Sequence, residues 1–437
     1  MWRFLSLFFF FLLKKIKSEI TIPFKGQNLP LHLNDEELIT TLFYNSYFIN
    51  LTIGSSNQEI PIKIKSTTQL SYIINSNTTS YSGIKYNSEK STTLKVLSKK
   101  NIYRDEEILY GTLVKDNFNF GKTKIEELNF TLTSDIRKDS NIKGAGSFGL
   151  GKNIYSIENS KESILIQLKK MNKIDHYTFT LHFTNKNEGN LILGNYLYDI
   201  KKPIYLMEAL QEINCDSQSE YYFSISSSFY SGEKLLTSSL LIFASEIGLI
   251  IGSTDYDDEI GKQFFNEYIK NGKCEIKKFK IKGFFLLNYN EKEFNYFVCD
   301  KDIKINKFPP LIIKNSELSF DIVLNYEDLW LDYNNKKYLM VVFPVSYDTD
   351  DLMRILIGNI IFKKYDISFD SDRKIVLFYD KNKKSGNGKL LYVLLITVIL
   401  IGALFYLISY IKKNKSRIIK KKTAKELEDD GFFTMIK

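Results

Sequence analysis

Ile60-Pro61-Ile62-Lys63-Ile64-Lys65-Ser66-Thr67-Thr68-Gln69-Leu70-Ser71-Tyr72-Ile73-Ile74 is an apolar run that breaks at a small polar turn and then resumes. Leu240-Leu241-Ile242-Phe243-Ala244-Ser245-Glu246-Ile247-Gly248-Leu249-Ile250-Ile251-Gly252 repeats the pattern in the second half. Short β-branched and aromatic runs closed by Ser, Thr or Gly read as strand, turn and strand. Each half also carries a later apolar-apolar-Gly element, Ser147-Phe148-Gly149-Leu150-Gly151 and Ile355-Leu356-Ile357-Gly358-Asn359. Two similar β lobes, with a seam near 203–220, are the simplest account, since each half is large enough for its own core.

The rest of the region between Leu42 and Tyr379 fits a mainly β protein. Strands are expected at Tyr47–Ile53, Ile60–Ile64, Tyr177–Phe183, Asn190–Leu193, Tyr221–Ile225, Leu339–Phe343 and Ile375–Tyr379. Helical spacing occurs at Ser163–Met171 and Gly261–Tyr268.

The net charge of +9 resides at the termini. Residues 1–18 hold Arg3, Lys14, Lys15 and Lys17 with no acids, and residues 412–437 hold nine basic and four acidic side chains. Between them basic and acidic residues balance at 47 each, so nothing points to a nucleic-acid partner.

Leu390–Ile411 is a run of 22 uncharged residues, about 33 Å long as a helix and sufficient to cross a bilayer. The lysines that follow place the tail 412–437 on the cytoplasmic side. Phe4–Leu13 is too short to span and reads as the core of a signal peptide over residues 1–18. The expected order is signal peptide, an extension or propeptide at 19–41, lobes at 42–205 and 206–380, a stalk at 381–389, the membrane helix and the tail. A single-pass type I protein of the secretory pathway or cell surface follows, with its ectodomain lumenal or extracellular.

Sequons at Asn50, Asn77 and Asn129 fit that route. Cys274 and Cys299 are a candidate disulfide, leaving Cys215 as a free or intermolecular thiol. The absence of a CxxC pattern, with only His32, His176 and His182 present, argues against a metal site, and no cofactor is expected.

The ordered blocks resemble the pepsin-like aspartic proteases over residues 42–380. Tyr47-Phe48-Ile49-Asn50-Leu51-Thr52-Ile53-Gly54 with Gln58 is similar to that family's opening Y-x-x-x-I-x-I-G-T-P-x-Q. Gly146–Gly151, Glu188–Gly194 and Tyr221–Ile225 resemble its D-G-I-L-G-L-G, G-x-L-x-L-G-G and Y-W-x-I segments. Ile355–Asn359, Phe362, Tyr365 and Phe369-Asp370 resemble W-I-L-G-D-x-F-x-x-x-Y-x-x-x-F-D, the most specific block. The resemblance implies a bilobed acid-protease fold with a central cleft.

It also implies two aspartates, one per lobe, sharing a proton so that one serves as acid and the other as base. This sequence places Lys65 and Ala244 at those positions, and neither can form such a pair. Ser66 and Ser245 keep a hydroxyl where the family has a threonine that holds the central loops together. Glu246, two residues past Ala244, is the candidate for a replacement carboxylate. The substrate flap would fall at Tyr103-Arg104-Asp105-Glu106, where the expected glycines are missing. The expectation is a membrane-anchored pseudoprotease whose cleft or lobe surface binds a peptide or protein. An active endopeptidase with an atypical centre, or a structural or adhesive ectodomain, are the alternatives.

Overall fold

In the computed structural model, residues 19–380 are described apart from 69, 99–107, 137–143, 152–162, 198–212, 216–217, 221–222, 285–288, 317, 319, 347–353 and 374. Beyond them, helical residues are described at 399, 402–403, 406–415 and 417. The chain divides into two compact units, Met1–Lys381 and Asn382–Lys437.

The first unit is mainly β, built on a twelve-stranded and an eleven-stranded sheet among the described residues. In the first sheet, strand Gln58–Lys65 runs parallel to Gly146–Gly149, with Ile64 opposite Phe148 and Lys65 opposite Gly149. Gly146–Gly149 in turn pairs antiparallel with Tyr72–Ile74. The second sheet repeats this arrangement. Lys234–Phe243 runs parallel to Arg354–Ile357, with Phe243 opposite Ile357, and Arg354–Ile357 pairs antiparallel with Ile250–Ile251. In both halves, therefore, a later strand slots between the two arms of a strand-turn-strand unit. The sequence repeat is a structural repeat, and it makes Lys65-Ser66-Thr67 and Ala244-Ser245-Glu246 equivalent turns.

Burial explains why these runs form central strands rather than surface ones. Leu241, Ile242 and Phe243 are all buried and form the continuous apolar run of a strand covered on both faces. In the first half Ile60, Ile62 and Ile64 bury one face, while Lys63 and Lys65, also buried, stand on the other. Glycine is required at the end of the second slotted strand. A Cβ on Gly358 would lie 2.3 Å from the Ile247 carbonyl oxygen and 2.4 Å from that of Leu249.

Strands Tyr365–Asp370 and Ile375–Asp380, late in the chain, join the first sheet beside Thr178–Phe183. The sequence boundary at 205/206 thus does not separate the sheets. The stretch read as one strand at Leu339–Phe343 is two, Lys336–Leu339 and Val341–Pro344. The helix expected at Ser163–Met171 is Ile164–Lys170, capped by the Ser163 side chain. The second expected helix begins earlier, at Thr254, and continues through a π-helical turn, Gly261–Phe265, to Lys270.

Residues 19–41, expected as an extension, carry strand Ile20–Gly26 and most of helix Asp35–Phe43. Cys274 and Cys299 are disulfide-bonded at directly opposed positions of neighbouring strands. For Cys215 only its place at the end of strand Ile213–Cys215 is described. Among the described residues no helix is long and apolar enough to cross a membrane. Much of the run 390–411, like the expected signal peptide and tail end, lies outside the described residues.

Candidate functional site

The two equivalent turns meet. Ser66 donates its backbone N–H to the Ser245 hydroxyl at 3.0 Å, and Ser245 donates its N–H to the Ser66 hydroxyl at 2.9 Å. The Ser66 hydroxyl donates onward to the Phe243 carbonyl at 3.1 Å. Both serines are at most 1% exposed, so each bond stands in place of water that could not reach it. Further backbone bonds tie the turns to the slotted strands: Leu150, just past the first, donates its N–H to the Lys65 carbonyl at 2.9 Å, and Ala244 donates its N–H to the Ile357 carbonyl at 3.0 Å.

Lys65 and Ala244 are 2% and 0% exposed. An aliphatic ammonium and a methyl group offer no carboxyl. The carboxylate that does reach the junction belongs to Glu246, which is 6% exposed. Its Oε2 accepts from the Ser66 N–H at 3.3 Å and the Ser245 hydroxyl at 3.4 Å, and its Oε1 accepts from the Thr67 hydroxyl. Thr67 and Glu246 are the third residues of the two turns, so equivalent positions bond each other across the molecule.

Burial pushes the Glu246 carboxyl up, while the charges of Lys65 and Lys63 and the Ser66 N–H oppose that rise. Lys63 is itself 7% exposed and lies two residues before Lys65, on the same strand face. Neither Lys63 nor Thr67 was among the sequence candidates. Strand alternation from Lys65 signals the first, and the repeat, which pairs Thr67 with Glu246, signals the second.

A family model described as eukaryotic aspartyl protease matches residues 46–380. The chain belongs to that family. No curated protein matches it. The matched region of this aspartyl protease homologue contains both serine-bearing turns and both slotted strands.

Other expected positions in the homologue are scattered. The expected flap residues Tyr103–Glu106 lie outside the described residues, while the strands leading to them, Lys95–Ser98 and Ile108–Phe120, pair with each other. Asn50 is exposed on its strand, and its side chain donates to Glu59 at 3.1 Å. Asn77 is exposed in a turn. Asn129 is half-buried within a strand, its N–H and carbonyl both held by the Gln167 side chain at 2.7 and 3.0 Å. His182 lies 3.0 Å from the buried Asp366 carboxylate, and His176 packs near the Tyr196 ring. No side-chain cluster that could hold a metal occurs among the described residues.

Proposed function

We propose that this member of the eukaryotic aspartyl protease family does not hydrolyse peptides and serves as a membrane-anchored binding ectodomain for an extended peptide or protein. Lys65 and Ala244 stand immediately before the paired serines, at the two positions from which an acid protease would present aspartates. The observation that carries the reading is the state of Glu246. Its carboxylate accepts from two hydroxyls and one N–H inside the junction, and a single carboxyl cannot reproduce an acid–base pair that shares a proton. Purified protein incubated with unfolded substrate between pH 3 and 6 is expected to give no pepstatin-sensitive cleavage. Sensitive turnover above that of a mock preparation would end this reading.

One observation favours a second reading, an atypical endopeptidase centred on Glu246. Burial raises its carboxyl, the direction a general acid requires. That reading requires Glu246→Gln to abolish cleavage.

Anchoring rests on the uncharged run Leu390–Ile411 and on its described helical part, where Tyr406, Leu407, Tyr410 and Ile411 are all more than half exposed. Apolar side chains bared along a helix call for an apolar surrounding. Resistance of the full chain to alkaline extraction from membranes is the expected result; release into the supernatant would exclude the anchor.

A further inference from the structure

Asn50-Leu51-Thr52, Asn77-Thr78-Thr79 and Asn129-Phe130-Thr131 carry the same acceptor motif but differ in their surroundings. An N-linked glycan is bulky, hydrated and rich in hydroxyls. Burying those hydroxyls without partners is costly, so a folded chain tolerates a glycan only where the asparagine opens to water.

Asn50 meets that condition on an inner strand. Burial alternates along Tyr47–Ile53, and Asn50 is its exposed position. Its side-chain amide donates to the Glu59 carboxylate at 3.1 Å. An amide nitrogen carries two hydrogens, so a sugar replaces one and leaves the other for Glu59. Asn77 stands exposed in the turn after Tyr72–Ile74, and its neighbours hold that turn. Ser76 N–H donates to the Tyr86 carbonyl at 2.8 Å and Thr78 N–H to the Asn75 carbonyl at 3.0 Å. The buried Thr78 hydroxyl donates to the Thr133 carbonyl at 2.9 Å.

Asn129 is placed differently. It is half-buried within Thr123–Ile136, with Lys115 directly opposite. Its backbone is gripped by the buried Gln167 side chain of helix Ile164–Lys170, at 2.7 and 3.0 Å. Thr131, the third residue of its motif, is 1% exposed.

Strand order brings the two open acceptors to one end of the first sheet. Asn50 pairs with Pro61, which lies four residues, about 13 Å, along the strand from Lys65. Ala145 N–H donates to the Pro61 carbonyl and Ile74 N–H to the Ala145 carbonyl, both at 2.8 Å. The chain therefore leaves Ile74 for Asn77 at the end remote from Lys65.

We propose that Asn50 and Asn77 carry N-linked glycans in the folded protein, that Asn129 stays bare, and that these sugars leave the Lys65 turn uncovered. The proposal rests on the reading of this region as a lumenal or extracellular ectodomain. The donor is an oligosaccharide on a polyprenyl diphosphate. The bond from sugar C1 to the diphosphate breaks and the diphosphate leaves with its electron pair. The asparagine Nδ2 bonds to C1, and a base of the transferase takes the amide proton. Transfer precedes folding. A sugar on Asn129 obstructs the packing of helix Ile164–Lys170 beside its strand, so chains bearing it are lost from the folded population.

The test uses the full chain made in secretory cells and recovered folded from their membranes. Glycan release by peptide N-glycosidase in heavy-oxygen water marks each occupied asparagine as a labelled aspartate for mass spectrometry. Label is expected at Asn50 and Asn77 and not at Asn129. Thr52→Ala and Thr79→Ala should each remove one glycan from the parent's electrophoretic pattern, and Thr131→Ala none. Label at Asn129 in folded protein, or its absence at Asn50 or Asn77, would overturn the proposal. Protease added to sealed microsomes separates the two ways it can fail. A protected ectodomain without sugar overturns the glycan assignment alone, whereas a digested ectodomain overturns the secretory placement and the assignment with it.

Discussion

Ser66 and Ser245 each accept the other's backbone N–H, at 2.9 and 3.0 Å, at equivalent turns of the two halves. This reciprocal contact joins the halves at the centre of the structural repeat, and the Thr67–Glu246 contact lies one residue further along both turns.

Truncating either serine leaves buried partners unsatisfied. Ser66→Ala removes an acceptor from Ser245 N–H and a donor from the Phe243 carbonyl, so a loss of about 1–3 kcal/mol is expected. Because the two hydroxyls act on one contact, Ser66→Ala with Ser245→Ala should cost less than the sum of the single changes. Urea unfolding of the four proteins in the cycle measures this. Strict additivity would show that the serines do not act as a pair.

Glu246 makes stability pH-dependent in a defined direction. A carboxyl raised in the folded state above its ordinary value of 4.5 holds its proton more tightly when folded. The resulting stabilisation is full below about pH 4.5 and fades as pH climbs through the raised folded value. Glu246→Gln, which cannot ionise, should flatten the fall in urea midpoint between pH 4.5 and 8. Identical slopes in the two proteins would refute this account of the buried carboxyl.

Asp35 contributes with the opposite sign. Burial works against its ionised form, but hydrogen bonds from Lys277, Lys336 and Tyr338 outweigh that and hold its carboxyl at about 2, below its ordinary 3.8. Its stabilisation is complete above pH 3.8 and is lost as pH falls through about 2. The lysines are a third or more exposed, so screening leaves about 1–2 kcal/mol of the effect. Asp35→Asn should lose that amount at pH 7, with the gap closing below pH 3. A constant gap across the range would mean the charge is not responsible.

Gly248→Ala tests the close passage of the amino-terminal segment. A methyl group 2.0 Å from a backbone carbonyl cannot be relieved by turning a side chain, so a loss of about 1–3 kcal/mol or more is expected. A thermal midpoint within a degree of the parent protein would place Leu42 farther away than the structure does.

Much of this architecture is legible in the chain because central strands carry strong local signals. Tyr47–Ile53 is found where its alternation predicts it, and the two strand-turn-strand repeats announce the equivalent turns. The Cys274–Cys299 pair, a candidate in the sequence, is disulfide-bonded in the structure. Ile20–Gly26 was harder to read: its Ile20, Ile22, Phe24 alternation is short, interrupted by Pro23, and adjoins the signal-peptide region. Asn34 and Glu37 carry the three-residue spacing of a capping box at the start of helix Asp35–Phe43. The direction of the Glu246 side chain had no local signal. It depends on Thr67 arriving from the other half of the molecule, which only the folded repeat brings about.

The central claim, that the junction holds the two halves together without activating water, is tested most directly by one assay. Parent protein and Glu246→Gln are incubated with unfolded protein substrate between pH 3 and 6, with and without pepstatin, and new peptide termini are counted. The account predicts no pepstatin-sensitive termini from either protein. Sensitive cleavage by the parent that disappears in Glu246→Gln would contradict it and assign the chemistry to that carboxyl.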